Sequence, residues 1–178
     1  MTDKTFGLMI AYAIPGFILV SGLGQLIPEV RVWLIGLDDI GPTVAGFLFS
    51  GTSSIAAGLI VSAIRWAMLD TLMHATGLTP PSWSGPDLHI RTNIIEFLVD
   101  AHYRYYQFYA NTAIAGVLAF GMYLARPQPD AATDGWLFPA ALILVIVLLI
   151  AARDALSKYY SRAQSAMEAE LPGSAPTA

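Results

Sequence analysis

Four apolar stretches, each about as long as a membrane-crossing helix, constrain this chain more than any other feature. They cover residues 6–27, 43–64, 106–125 and 136–152. A helix of about 20 apolar residues crosses the hydrocarbon core of a bilayer. Charged residues make up only 12% of the chain, whereas about 25% is usual in a soluble domain. The sequence therefore predicts an all-α integral membrane fold, a four-helix transmembrane bundle in a single domain over residues 1–166.

The segments between the predicted spans also carry signals. Pro15 lies inside span 1 and predicts a kink, because proline removes a helix hydrogen bond. Residues 28–42 form a short predicted link. No helix breaker follows span 2 until a proline-rich loop at residues 78–87, so we expect a cytoplasmic helical hairpin over about residues 65–104, between spans 2 and 3. The polar tail at residues 167–178 is expected to be disordered.

The lysine and arginine residues predict the orientation of the spans. One side of the predicted topology has seven basic residues and the other side has two. The seven are Lys4, Arg65, Arg91, Arg104, Arg153, Lys158 and Arg162, and the two are Arg31 and Arg126. Basic residues accumulate on the cytoplasmic side of membrane proteins. We therefore expect both termini and the hairpin to be cytoplasmic.

Four segments of the chain carry a resemblance. They are Ile14–Phe17, Val61–Trp66, the loop from Gly77 to Trp83 with its Pro-Pro-Ser-Trp sequence, and His102–Asn111. Together they resemble a group of bacterial membrane proteins with four predicted spans, over most of the chain. The resemblance implies the topology and a bacterial origin, hence the cytoplasmic membrane, and implies no site residues. Small bacterial proteins of this layout are also similar to membrane effectors of antiviral defence operons.

A polar stripe on the helix that contains span 3 is the strongest functional signal. Its members recur at intervals of three and four residues, which places them on one helix face. They are Asn93, Glu96, Asp100, Arg104, Gln107 and Asn111. An unpaired polar group inside a bilayer costs several kcal/mol, so these side chains face another helix or water. Either the stripe packs within the bundle or against another subunit, or it lines a water-filled path around an oligomer axis.

Aromatic residues surround the point where span 3 enters the membrane. Such residues commonly anchor a helix at the membrane interface. Here they occupy all faces of the helix, so a ligand pocket is a second interpretation. The candidate ligand- or partner-binding residues are Arg65, Trp83, Arg91, His102, Tyr103, Tyr105, Tyr106 and Tyr109.

Span 2 carries a small residue at every fourth position. These residues are Gly46, Ser50, Ser54, Gly58 and Ser62. Small residues on one face allow a second helix to approach closely, and serine hydroxyls add hydrogen bonds. The pattern predicts tight helix packing, either within one subunit or between two.

The histidines raise the question of a metal site. Asp70 and His74 share a helix face at a spacing that is compatible with metal ligation. A membrane-embedded enzyme that uses Asp70, His74, Asp100 and His102 is therefore one hypothesis. Against it, the chain has no HExxH motif, and His89 lies about 20 Å from His102 if their helix is straight. We predict no metal and no cofactor.

The combined features predict a homo-oligomeric membrane channel or pore-type effector that is gated or recruited through its cytoplasmic hairpin. A four-span unit of this size needs several copies to enclose a path, and cyclic homo-oligomers are the simplest closed assemblies. The alternative is a non-conducting scaffold that binds a soluble cytoplasmic protein or a small ligand through residues 65–104. The chain has no basic run, so nucleic acid is not an expected partner.

Overall fold

The computed structural model describes residues 3–36, 41, 43–81, 92–126 and 131–168, and every regular element in these ranges is helical. The predicted all-α class is therefore confirmed for the described part of the chain. The elements are α1 (Asp3–Leu23), α2 (Pro28–Ile35), α3 (Val44–Ile64), the π-helical segment π1 (Arg65–Asp70), α4 (Thr71–Ala75), α5 (Thr92–Leu98), the π-helical segment π2 (Val99–Tyr103), α6 (Arg104–Leu124) and α7 (Ala131–Glu168).

Two of the described helical runs are long and apolar enough to cross a membrane. They are Val44–Ala75, which joins α3, π1 and α4, and Gly135–Glu168 in α7. The apolar helix Met9–Leu23 in α1 is shorter. The predicted third span, α6, does not reach the same apolar content, because Gln107 and Asn111 interrupt it. Length and composition of the two long runs indicate association with a membrane.

The long helices pack as a row in the order α3, α1, α6, α7. Helices α1 and α3 are antiparallel. They approach so closely that a Cβ atom on Gly16 would lie 1.7 Å from the carbonyl oxygen of Ser54, and one on Gly58 would lie 2.0 Å from that of Tyr12. Only glycine fits at such a crossing. Of the small residues predicted to pack, Ser54 and Gly58 therefore meet α1 of the same chain, and Gly46 meets Trp33 of α2.

Helix α2 lies inside the segment that the sequence predicted as a short link. Pro28 occupies its first turn, where the missing N–H costs nothing, and Glu29 follows it. The side chain of Val30 is buried, and Trp33 stacks on Phe49 of α3 with 5.5 Å between ring centroids. Gly36, with φ of 82°, ends the helix. The link is therefore partly helical and covers the start of α3.

Three helices continue past their apolar stretches at the same end of the molecule. Helix α7 has 38 residues, so it is about 57 Å long, nearly twice the hydrocarbon thickness of about 30 Å. We call its residues 152–168, together with π1, α4, α5 and π2, the extension. The extension packs around a buried core of Leu69, Met73, Leu98, Leu156 and Tyr159, to which Tyr106 of α6 also belongs.

The apolar half of α7 has a different environment. Only 6% of its most apolar 18-residue window is buried inside the protein. The exposed side chains include Leu142, Ile143, Leu144, Ile146, Val147 and Ile150. A continuous apolar surface of this kind is rare on soluble monomers and marks contact with lipid or another protein.

Candidate functional site

The polar stripe of the sequence follows the contact between α1 and α6, which we call the seam. At the extension end, Arg104 Nη2 lies 2.9 Å from Asp100 Oδ1, as expected for residues four apart on a helix. Asn93 and Glu96 lie further along on α5 with exposed side chains. The residues of the stripe are therefore exposed on α5 and become partly or fully buried from Asp100 onward.

The middle of the seam is closed by two hydrogen bonds to α1. Gln107 Nε2 donates to the hydroxyl of Tyr12 over 3.3 Å. One turn further, Asn111 Nδ2 donates to the carbonyl oxygen of Ala11 over 3.1 Å. Asn111 is fully buried. In a single chain these two stripe residues thus face α1, and neither faces outward from the bundle.

Two buried oxygen atoms in the middle of α6 lack a partner among the described residues. They are Oδ1 of Asn111 and Oγ1 of Thr112. A buried polar atom without a hydrogen bond costs about 1–3 kcal/mol, and such atoms are rare in native proteins. Both atoms lie midway along α6, on the stretch that contacts α1.

A cavity opens at each end of the seam. The inner cavity, beside the extension, has a volume of about 400 Å³ and is lined by Asp100 and Arg104 together with aromatic side chains. The outer cavity has a volume of about 600 Å³, and its polar lining residues are Ser21, Gln25 and Thr112 among apolar neighbours from α1, α6 and α7. Polar groups therefore contribute to the lining of both cavities, although the outer one is mostly apolar.

A buried charged network, the boundary network, joins the membrane-type helices to the extension. Arg65 Nη1 lies 2.9 Å from Asp70 Oδ1, and the Tyr106 hydroxyl donates to the same carboxylate. The Arg65 guanidinium also lies over the Tyr106 ring, 5.1 Å from its centroid. Arg65 and Tyr106 are almost fully buried. A buried ion pair of this kind is costly to break, because the remaining charge has no partner.

The π-helical segments explain the geometry of this network. Arg65 and Asp70 are five residues apart, so their side chains would diverge by about 140° on a regular α-helix. In π1 the backbone follows an i→i+5 pattern, which brings the two side chains to one face. The second π segment, π2, immediately precedes α6, the helix that contributes Tyr106. Short π segments inside α-helices are frequent at functional sites.

Aromatic residues extend the network to α7. Tyr103 lies 5.8 Å from Tyr106 and 5.2 Å from Tyr159, measured between ring centroids. Tyr160 continues the cluster and its hydroxyl lies 2.9 Å from Nε2 of His74 on α4. Three of the long helices therefore meet in one layer of aromatic and charged side chains.

Two further polar contacts fix α7 against the extension. Arg153 donates to the hydroxyl of Thr76 over 2.6 Å and to its carbonyl oxygen over 3.0 Å, at the end of α4. The Arg162 guanidinium contacts Nε2 of His102 on π2. Partial burial, and then the positive charges of Arg162 and Lys158, lower the pKa of His102. The neutral imidazole is therefore the form that fits this contact.

The four residues of the enzyme hypothesis do not come together. Asp70 pairs with Arg65, His74 with Tyr160, Asp100 with Arg104, and His102 with Arg162. Within the described ranges, no group of three or more histidine, cysteine or acidic side chains is placed to hold a metal ion.

The remaining candidate residues have varied positions. Tyr105 is exposed and stacks with Tyr109 at 6.3 Å. On α3, Gly46, Ser50, Ser54 and Gly58 are buried and Ser62 is half-buried. Trp83 and Arg91 lie outside the described residues.

Sequence reasoning missed the contribution of α7 to this site. The buried positions Ala152, Ala155, Leu156, Tyr159 and Ala163 recur at intervals of three and four residues, the pattern of an amphipathic helix. That periodicity was the signal that a third helix packs on the hairpin.

The chain matches no protein-family model, no curated protein and no solved structure.

Proposed function

We propose that the protein is a four-span channel of the bacterial cytoplasmic membrane, with both termini cytoplasmic, and that ions or small polar solutes pass along the seam. The observation that carries this proposal is the pair of cavities along the seam, together with buried polar groups on the same stretch of α6. Gln107 and Asn111 hydrogen-bond to α1 there, and the buried oxygen atoms Oδ1 of Asn111 and Oγ1 of Thr112 lack a partner among the described residues. A solute or water that reaches them would supply the missing hydrogen bonds.

The direction of the helices and the distribution of charge support four spans. Helix α1 is antiparallel to α3 and parallel to α6, as expected when consecutive spans alternate in direction. The described basic residues Arg65, Arg104 and Arg153 lie at the extension end, and Arg126 lies at the opposite end. This placement follows the positive-inside rule with the extension in the cytoplasm.

We further propose that the extension gates the seam through the boundary network. Tyr106 lies one residue before Gln107 on α6, and its hydroxyl is tied to Asp70 on π1. A ligand or protein that shifts the extension would therefore move the residues that close the seam. The assembly is proposed to be a homo-oligomer, in which neighbouring copies complete the path that each seam lines.

Flux in proteoliposomes tests the proposal with an isosteric pair of variants. Thr112→Val removes the seam hydroxyl, and Thr52→Val removes a hydroxyl from the exposed face of α3. We expect ion flux to change about tenfold for Thr112→Val, since one hydrogen bond is worth about 1–2 kcal/mol at this depth, and to stay unchanged for Thr52→Val. Asn111→Leu should abolish flux. Wild-type flux in both Asn111→Leu and Thr112→Val would refute conduction along the seam.

A scaffold function is the second candidate, and a separate observation favours it. Ile94 and Phe97 on α5 are 51% and 66% exposed, outside the predicted spans. Large exposed apolar side chains on a cytoplasmic helix suit a docking partner. Phe97→Ser would then abolish co-purification of a soluble protein while flux and membrane insertion stay unchanged. If Phe97→Ser leaves co-purification intact, α5 is not the docking surface.

A further inference from the structure

The inner cavity has the composition of a ligand site. It lies where α6 enters the membrane in the proposed topology, and its volume is about 400 Å³. Asp100 and Arg104 provide charged groups, while Ile10, Phe108 and Tyr109 provide apolar surface. A cavity with charged groups and an apolar wall suits a ligand that has both a charged and an apolar part.

Arg104 is placed to bind an anionic ligand while it remains paired with the carboxylate of Asp100. Its side chain is 15% exposed, and that of Asp100 is 34% exposed, so both can be reached from the cavity. Asp100 accepts from Nη2 at 2.9 Å. A guanidinium group carries further N–H donors in a planar fork that matches the oxygen atoms of a phosphate. A phosphate can therefore bind N–H groups of Arg104 that do not face Asp100, while the ion pair with Asp100 persists.

Gly7 on α1 makes room for this guanidinium group. A Cβ atom at position 7 would lie 2.7 Å from Arg104 Nη1 and 3.1 Å from its Cδ. With glycine there, Nη1 lies directly against the second turn of α1. Gly7 therefore leaves the space that the guanidinium group occupies beside the inner cavity.

The aromatic wall of the inner cavity fits the level of lipid headgroups. Tyr105 is 55% exposed, and its ring lies 6.3 Å from that of Tyr109, which in turn lies 5.6 Å from Phe108. Tyrosine is enriched at membrane interfaces because its ring is apolar and its hydroxyl is polar. An amphiphile with its phosphate at Arg104 would place its apolar part against these rings.

We infer that the inner cavity binds a phosphate-bearing ligand, with the phosphate held by Arg104 and the adjoining apolar part held by the aromatic wall. The two sources of this chemistry are an anionic phospholipid of the inner leaflet and a soluble phosphorylated molecule. Binding at this site does not require the seam to conduct. Because binding and flux are measured separately, either proposal can fail without the other.

Native mass spectrometry of the purified full-length protein tests this inference. The protein is titrated with phosphatidylglycerol in a background of phosphatidylcholine, with and without millimolar inorganic phosphate as competitor. We expect Arg104→Gln to weaken phosphatidylglycerol binding at least about tenfold, since charge-assisted hydrogen bonds are lost. Displacement by inorganic phosphate would identify a soluble source, and persistence of the lipid adduct would identify the lipid.

Two further variants keep the test decisive. Arg162→Gln removes a positive charge at the same end of the protein but away from the inner cavity, and it should leave phosphatidylglycerol binding unchanged. Gly7→Ala keeps every charge and displaces the guanidinium, so it should weaken binding even if Arg104→Gln fails to fold. Equal losses in Arg104→Gln and Arg162→Gln, or wild-type binding in Gly7→Ala and Arg104→Gln, would overturn the inference.

Discussion

The two halves of α7 differ in how much of their apolar surface is buried within the protein. In the half that precedes Ala152, Ile143 and Leu144 are 62% and 59% exposed. In the half that follows, Leu156 is 1% exposed and charged residues such as Arg153 and Asp154 cover the outer face. Residues 136–151 are apolar on all faces, whereas the second half is amphipathic with one buried face. The pattern changes near Ala152, where an exposed apolar surface gives way to a packed one.

The boundary network lies where these two halves meet. Tyr106, Arg65 and Asp70 are buried or nearly buried among residues of the extension core. Ions buried between two packed layers have little water to compensate for a lost partner. Interactions at the boundary should therefore contribute more to stability than similar ones on the surface of the extension, and each prediction below tests one contrast of this kind.

Breaking the boundary ion pair should have the largest effect. Asp70→Leu leaves Arg65 buried without its carboxylate and removes the acceptor of the Tyr106 hydroxyl. We expect a loss of about 3–5 kcal/mol in the free energy of unfolding. The control is Asp154→Leu, which breaks an ion pair with Lys158 whose side chains are more than half exposed, and which should cost about 0–1 kcal/mol. Thermal or denaturant unfolding in detergent measures both.

If Asp70→Leu and Asp154→Leu proved equally mild, the boundary network would not be a distinct layer. The double variant with Arg65→Leu and Asp70→Leu sharpens the result. It removes both charges, so it should recover a large part of the stability that Asp70→Leu loses.

Truncating one leucine in each half of α7 should give the next largest contrast. Leu156→Ala opens a cavity in the extension core and should cost about 2–5 kcal/mol. Leu144→Ala removes the same atoms from a side chain that is 59% exposed, so its cost should be well under about 1 kcal/mol. Unfolding in detergent micelles compares them. Equal costs would mean that the apolar half is packed against protein.

Adding a methyl group should distinguish the packed and the open sides of α3. Gly58→Ala places a Cβ 2.0 Å from the Tyr12 carbonyl oxygen, so α1 and α3 must separate. The expected cost is about 1–3 kcal/mol. At Gly51 a Cβ meets nothing within 4 Å, and Gly51→Ala should be neutral or slightly stabilising, because alanine favours helix. A neutral Gly58→Ala would contradict the close approach of the two helices.

The sequence predicted the elements that depend on local patterns. The all-helical class followed from the apolar stretches, and α3 begins close to the predicted position, where the Thr43 hydroxyl accepts from the N–H of Gly46. The intervals of three and four residues placed Asp100 and Arg104 on one helix face, where they form an ion pair. These features need information from only a few neighbouring residues.

Other features depend on tertiary contacts and were not predicted. Arg65 and Asp70 share a face only because π1 departs from α-helical geometry, and no residue type in that segment signals such a departure. The fourth predicted span ended at residue 152, because the apolar run ends there, although α7 continues to Glu168 with a buried face. The sequence did not show which helix Gln107 and Asn111 contact, since a polar stripe does not identify the helix that it faces.

Chemical access to the middle of the seam tests the central claim most directly. The chain has no cysteine, so Thr112→Cys and Thr52→Cys each provide one thiol in an otherwise unreactive protein. Both proteins are reconstituted in liposomes and treated with a charged, water-soluble thiol reagent while ion flux is recorded. We predict that the thiol at position 112 reacts and that flux changes, while position 52, which faces lipid in the proposed topology, stays unmodified. No reaction at position 112, with flux persisting, would show that the solute path does not follow the seam.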